Sequence, residues 1–310
     1  MFRTTRSAPA LMAALLLTLT ACGDSSADEA SSEPSASESA QFPVTVEGAN
    51  GELTLDEQPD AIVSLSATST EMLFAIGAGD QVKAVDDTSN YPEDAPVTDL
   101  SAFTPNAEAI AGYDPDLVIL SNDLNGIVDA LDALSVPTLL LEAAGTVDDT
   151  YAQLELLGDA TGHAEEADEV IADVQDRIEA AVDSAPDDVE GTKVYHELDP
   201  SFFSADSSTF IGSIYSMFGL ENIADEAGAA AGGYPQLSAE YIVSEAPGLI
   251  VLADTKCCEQ SAETVAQRPA FDTVPAVKED RVLEADDDIA SRWGPRIADF
   301  AEAVADALQH

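Results

Sequence analysis

The stretch that decides the fold is H-A-E-E-A-D-E-V-I-A-D-V-Q-D-R-I-E-A-A-V-D-S-A, residues 163–185. Ala167, Val170, Ile171, Val174, Ile178, Ala181 and Val182 recur three and four apart, and acidic residues fill the opposite face. This spacing predicts an amphipathic helix of roughly 20 residues, about 30 Å long at ~1.5 Å per residue. Gly162 precedes it. Ser184, Ala185 and Pro186 close it, because a proline ring disfavours helical backbone in the residue before it. Comparable lengths of α/β pattern lie on either side, residues 43–160 before and 187–310 after. One long helix (161–186 with its flanks) between two matched halves predicts a rigid spine joining two lobes. The competing reading is a crossover helix inside one large domain.

Outward from the spine, the first half alternates short apolar runs with helical ones. Ala61 to Ser66 suits a buried parallel strand. Thr68-Ser69-Thr70-Glu71 reads as a capping box for a helix through Met72–Ile76, stopped at Gly77 and Gly79. A strand at Val82–Val85 is followed by loop from Asp86 to Pro96. Helix at Asn106–Tyr113, strand at Leu117–Leu120, helix at Ile127–Leu134, strand at Thr138–Leu141 and helix at Val147–Gly158 complete it. The second half repeats the grammar. It has a strand at Lys193–Leu198, an apolar helix face on Phe210, Ile211, Ile214, Tyr215, Met217 and Phe218 capped by Ser208, helix at Ser238–Glu245, and strands at Leu249–Ala253 and Arg281–Ala285. A last helix starts at Pro295. The fold class expected is α/β: two lobes, each a mostly parallel sheet flanked by helices, joined by one long helix.

An internal match supports duplication. N-A-E-A-I-A-G-Y-D-P-D-L-V-I-L (106–120) and S-A-E-Y-I-V-S-E-A-P-G-L-I-V-L (238–252) coincide at six of fifteen positions. Each is helix, proline, then buried strand. The match puts Glu108 and Glu240 at equivalent spots.

At 310 residues the chain exceeds a single core, so two domains are the default. Its start is an address. Arg3 and Arg6 precede an apolar run, Ala8 to Leu19, too short to span a bilayer. Leu19-Thr20-Ala21-Cys22 resembles a bacterial lipobox, so residues 1–22 read as a lipoprotein signal with Cys22 lipidated. Residues 23–42, rich in Ser, Asp, Glu and Ala, cannot bury enough apolar surface to fold and read as a tether. The body is then expected outside the cytoplasm, held to the outer face of the cell membrane by its lipid only. Beyond Cys22, nine basic residues stand against 60 acidic ones, a net charge of −51. Such a surface repels nucleic acid and anionic lipid. Cys257 and Cys258 are adjacent in an oxidising compartment. Their Cα atoms are held ~3.8 Å apart by the trans peptide, shorter than the usual disulfide span, and a vicinal disulfide is one reading of the pair.

These residues resemble a known family. I-V-S-L-S-A-T-S-T-E-M-L-F-A-I-G-A-G-D, N-Y-P at 90–92 and N-A-E-A-I…P-D-L-V-I are similar to the start of the solute-binding proteins of ATP-driven importers for cobalamin and ferric siderophores. F-I-G-S-I-Y-S-M-F-G-L-E-N-I-A, Y-P-Q-L-S-A-E-Y-I and S-R-W-G-P-R-I continue the match, which covers nearly all of 60–308. The resemblance implies two lobes on one helix, ligand in the cleft between them and a limited hinge. It implies as partners a permease with its ATPase, and a monomeric binding protein. It also implies one acidic residue per lobe docking on permease arginines, here Glu108 and Glu240. The competing reading is two solvated first-turn glutamates favoured by the helix dipole.

Ligands of open α/β sheets bind outside the carboxyl ends of the strands. That rule selects Ser66, Thr68, Tyr91, Phe103 and Asn122 in the first lobe. In the second it selects Phe202, Phe203, Tyr234, Cys257, Cys258, Arg292 and Trp293. Aromatic residues are only 6% of the chain, yet they gather in these loops, which suits a large planar or macrocyclic ligand. Tyr91, Phe202 and Tyr234 fall where cobalamin-binding relatives carry cleft aromatics. Cys257–Cys258 depart from the family pattern and are read as a rigid platform at the ligand face; the alternative is a free pair without ligand contact. One of Arg292 and Arg296 is expected to hold an acidic group of the ligand, the other to pair with Asp286–Asp288.

Three histidines, His163, His196 and His310, are too few and too scattered for a bare-metal receptor. Haem or a ferric catecholate would want free basic residues, and the second lobe offers Lys256, Arg268, Arg292 and Arg296. A near-neutral ligand follows, a corrinoid first and a ferric hydroxamate second, with no cofactor of the protein's own. No G-x-S-x-G, H-E-x-x-H, P-loop or G-x-G-x-x-G is present, and His196 beside Glu197 is the only candidate base for a hydrolase. An envelope protein that binds a partner surface is the remaining alternative.

Overall fold

The computed structural model describes residues 42–186, 188–227 and 231–309. The readings of 1–22 as a signal, Cys22 as a lipidation site and the tether lie outside the described residues. Among those residues, no helix is long and apolar enough to cross a membrane.

The chain opens with a hairpin, β1 (Val44–Gly48) and β2 (Gly51–Leu55), paired antiparallel. The reading of the sequence passed over it, although Val44, Val46, Leu53 and Leu55 alternate with polar residues across an Ala49-Asn50 turn flanked by Gly48 and Gly51. Val46 and Leu55 are buried, and Asn50 fixes the hairpin to the first sheet through Thr138 O and Leu140 N. Next come β3 (Ile62–Leu65), α1 (Ala67–Ala75), β4 (Val82–Asp86), β5 (Val97–Leu100), α2 (Ala107–Ala111), β6 (Leu117–Leu120), α3 (Ile127–Ala133), β7 (Thr138–Leu140) and α4 (Val147–Thr161). The five strands β3–β7 form one parallel sheet, ordered β5-β4-β3-β6-β7. The edge strand β5 was not expected; only Leu100 of its residues is buried, so it carries no apolar run to betray it.

The spine is α5 (Ala164–Ser184), 21 residues. Its buried positions are Ala167, Val174, Ile178 and Ala181, on the stripe the sequence laid out. Beyond it lie β8 (Lys193–Glu197), α6 (Phe210–Met217), β9 (Glu221–Asn222), α7 (Ala239–Glu245), β10 (Leu249–Leu252), α8 (Thr255–Cys258), α9 (Ala262–Ala266), α10 (Pro275–Lys278), β11 (Val282–Glu284), α11 (Asp287–Ser291) and α12 (Ile297–Leu308). Strands β8–β11 form a second parallel sheet, ordered β11-β10-β8-β9. The protein is therefore two lobes, each a parallel sheet with helices on it, joined by α5. Two short strand–helix connections, at α8 and α11, were expected as loop; each is a single turn, below the length at which periodicity is legible.

Four apolar clusters form the interior. Two cover the faces of the first sheet and two those of the second. Val170 of α5 and Trp293 are packed against a cluster in each lobe, so the spine and the chain just before α12 tie the lobes together.

Two caps differ from expectation. Ser66, not Thr68, caps α1: it takes extended backbone directly after β3 and accepts from Ser69 N at 3.1 Å. Glu71 is thus freed from a capping box. Thr209 rather than Ser208 caps α6, accepting from Gly212 N.

The spine makes a direct stability test. Ile178→Ala removes a side chain 2% exposed and is expected to cost about 2–4 kcal/mol, mostly as an unfilled cavity. Exposed Glu179→Ala on the same helix should stay within ~0.5 kcal/mol; urea midpoints of both variants check this.

Candidate ligand cleft

Strand order decides where each lobe can hold something. In the first sheet the chain runs β3, β4, β5 outward, then returns to place β6 on the other side of β3. The connections after β3 and β6 therefore leave in opposite directions and open a crevice at their carboxyl ends. Ser66 follows β3, and Ser121 and Asn122 follow β6. The second sheet does the same: β9 lies on one side of β8 and β10 on the other. Its crevice is bounded by Leu198 onward and by Asp254 to Cys258. The equivalence of the lobes extends to α2 and α7. Asn106 and Ser238 cap them through the same bond, to Ala109 N and Tyr241 N. Glu108 and Glu240 both occupy the second helical position and are exposed.

At the first crevice the side chains are small and polar. Ser64, Thr70, Ser89 and Asp86 form a buried chain: Thr70 donates to Ser64 at 2.9 Å, Thr70 and Ser89 lie 3.1 Å apart, and Ser89 donates to Asp86. Ser66 is 4% exposed and spent on its cap, and Thr68 is equally buried, so neither offers a free hydroxyl at the surface. Asn122 turns its amide oxygen to Leu124 N at 3.3 Å. Phe103 is 67% exposed.

At the second crevice the expected aromatics divide. Phe203 and Tyr234 are exposed, on segments bonded to one another through Ser204 N to Pro235 O and Leu237 N to Phe202 O. Phe202 is half-buried. With φ at +69° it turns inward, stacks on Phe271 and lies under the Arg268 guanidinium, 5.4 Å from its ring centroid. Cys257 and Cys258 are joined as a disulfide between neighbours at the end of α8. Asp287 accepts from Lys256 N and Cys257 N, 3.0 and 2.9 Å away, and so fastens α8 to α11.

Between the lobes lies a buried ion network that the sequence reading missed. Glu71 of α1 accepts from Arg292 Nη1 at 2.7 Å and from Arg296 Nε at 2.8 Å, with a second bond from Arg296. The Glu71 side chain is 2% exposed and that of Arg292 12%. Arg292 also donates to Asn90 Oδ1, to Thr88 O and to Asp288. Asn90 returns a bond to Asp288, which in turn accepts from Lys256 of α8. Burial opposes ionisation of Asp288, but Asn90, Arg292 and Lys256 outweigh it and hold its carboxyl below the usual range. Burial likewise opposes the charge of Arg296, and Glu71 more than restores it.

Three of the residues selected from the sequence join or border this network. Arg292 is committed to the joint on all sides. Trp293, half-buried, donates its indole N–H to Gln153 of α4 at 3.0 Å and packs against both lobes' interiors. Tyr91 lies with its ring 4.1 Å from the Arg296 guanidinium and lines a cavity of about 270 Å³ with Glu71, Phe74, Pro92 and Pro295. The signal that would have exposed Glu71 is its place on the apolar Met72–Ile76 helix. A carboxylate there needs buried cations, and S-R-W-G-P-R supplies two. His196, the candidate base of a hydrolase, is fully enclosed with Nδ1 2.6 Å from the Tyr215 hydroxyl, and burial lowers its pKa to about 3.

Two facing crevices on separate sheets, joined by a helix and a compact ionic joint, define a two-lobed binding protein. The chain belongs to the periplasmic binding protein family, whose pattern matches residues 62–289. It is 29% identical over 96% of its length, and 96% of the other chain, to an uncharacterized ABC transporter substrate-binding lipoprotein, YvrC of Bacillus subtilis. It is also 29% identical to a cobalamin-binding protein of Halobacterium salinarum, over 98% of this chain and 85% of that one. The crystal structure of the periplasmic haem-binding protein HutB of Vibrio cholerae shares the fold with a TM-score of 0.72 at 20% identity, covering 81% of this chain and 99% of that one.

Removing the charge at the joint tests its weight. Glu71→Gln leaves two guanidiniums buried against a neutral amide, and a loss of about 3–5 kcal/mol is expected in urea unfolding. A change within ~0.5 kcal/mol would mean that the arginines find other acceptors.

Proposed function

We propose that the chain is the extracytoplasmic solute-binding component of an ABC importer, anchored through Cys22, which carries a corrinoid between its lobes to a permease. One observation supports the ligand class above others. Among the described residues, the four cations near the crevices and the joint all have carboxylate partners: Lys256 with Asp286 and Asp288, Arg268 with Glu197, Arg292 and Arg296 with Glu71. A haem propionate or an anionic ferric catecholate would have to displace one of these pairs. A near-neutral macrocycle meets no such cost and gains from the exposed faces of Phe103, Phe203 and Tyr234. The cobalamin-binding relative supports the same choice. A ferric hydroxamate siderophore satisfies the charge argument equally and is the second reading.

In this account the Cys257–Cys258 pair stiffens one wall of the cleft, and Ser121 to Leu124 with Phe103 supply the other. Glu108 and Glu240 are the docking carboxylates. Each is exposed at a helix start, and among the described residues neither has a salt-bridge partner, so each is open to a guanidinium of the permease.

A thermal-shift panel of cobalamin, cobinamide, ferric hydroxamates, ferric catecholates and haem decides the ligand, because binding to the folded state alone raises Tm by mass action. A rise with a corrinoid or hydroxamate is expected; a rise with haem alone would sink the charge argument. The paired variant Glu108→Ala, Glu240→Ala should keep that rise in full and abolish uptake by cells carrying the permease. If uptake persists unchanged, the docking assignment fails while the ligand assignment stands.

A further inference from the structure

The second crevice has a buried carboxyl that none of this explains. Asp254 follows β10 directly and is fully enclosed. It occupies the cap position of α8, yet its side chain makes no capping bond, since Asp287 has taken those amides. Neither Asp254 oxygen has a hydrogen-bond partner. The charged and titratable groups facing it are Glu197 and Tyr195 from β8, Arg268 from the chain after α9, and Asp287 from α11.

None of these donates to it. Arg268 gives Nη1 and Nη2 to Glu197 and a further bond to Gln260. Tyr195 gives its hydroxyl to Glu197 at 2.9 Å. Asp287 is a second acceptor. What remains beside Asp254 is the Glu197 carboxylate, and two acceptors can be joined only by a hydrogen placed between them. The main chain of Asp254 meanwhile anchors the turn, its carbonyl accepting from Cys258 N at 3.2 Å and Gln260 N at 3.4 Å.

We propose that Asp254 and Glu197 bind one proton between them, and that this proton seats α8, with its disulfide, on the carboxyl end of the second sheet. Glu197 stays paired with Arg268, and Asp254 carries the hydrogen. When the proton leaves, two carboxylates face each other in an enclosed space with Asp287 nearby, and α8 is the movable side. Burial first, then the Glu197 charge, raises the Asp254 pKa from 3.8 to about 7. Because the folded value lies above the unfolded one, the stabilisation is complete below the ordinary carboxylate range. It is lost as pH rises through about 7. The bearing on ligand capture rests on the cleft reading above. The proton site itself does not, and it is tested without ligand.

The test compares the whole protein with Asp254→Asn between about pH 5 and about pH 9. Amide exchange across 254–260, corrected for its intrinsic pH dependence, should speed up with pH in the wild type and stay flat in the variant. Tm of the variant should exceed that of the wild type at the upper pH, with the gap closing at the lower. Equal pH dependence in both proteins overturns the proposal. Carbon NMR of wild-type protein labelled at aspartate carboxyls gives a second measurement that needs no variant. One carboxyl titrating near neutrality is expected, and its absence overturns the proposal as well.

Discussion

A carboxylate in the first helix of the chain meets two guanidiniums 221 and 225 residues further on. Glu71, 2% exposed, and the largely enclosed Arg292 and Arg296 each need an opposite charge beside them. This mutual requirement closes the chain on itself across the lobes. Asn90 and Asp288 extend it toward α8, and Trp293 wedges an indole between the two interiors. The spine sets the separation of the lobes and the ion network sets their angle. Separating the lobes would part Glu71 from both arginines, while Arg292 would keep Asp288.

The same topological device is used twice. Each sheet reverses its winding direction once, at β3/β6 and at β8/β10, and each reversal leaves a crevice at the strand ends. The two crevices are chemically unlike. The first is floored by hydroxyls ending on Asp86. The second is floored by carboxylates, Glu197 and Asp254, with Arg268 between its aromatic neighbours Phe202 and Phe271. The lobes share one scaffold device and present two different walls.

Extreme acidity shapes this site indirectly. With few basic residues in the body, those near the crevices are outnumbered by carboxylates and drawn into pairs. Cations that a less acidic chain could leave free for an anionic ligand are here consumed in holding the lobes and α8. The acidity of the surface also keeps the protein dispersed.

The two lobes, the spine and the parallel sheets were legible in the sequence because each rests on local periodicity: Ala167 to Val182 at helical spacing, and apolar runs such as Leu117–Leu120 and Leu249–Leu252. The equivalence of Glu108 and Glu240 was legible through a repeated motif. The hairpin at Val44–Leu55 was written in plain alternation and was passed over. What tertiary structure alone decided is which polar residues meet. Nothing near Glu71 in the chain announces Arg292, and nothing near Asp254 announces Glu197 or Arg268. Phe202, Arg292 and Trp293 stand in loops after strands, as the rule for ligand sites asks, yet each is half-buried against distant partners, while Tyr91 stays exposed beside Arg296. Local pattern fixes elements because neighbours along the chain share one helix or strand. The pairing of buried charges depends on contacts between separate elements, up to 225 residues apart, and local periodicity carries no trace of them.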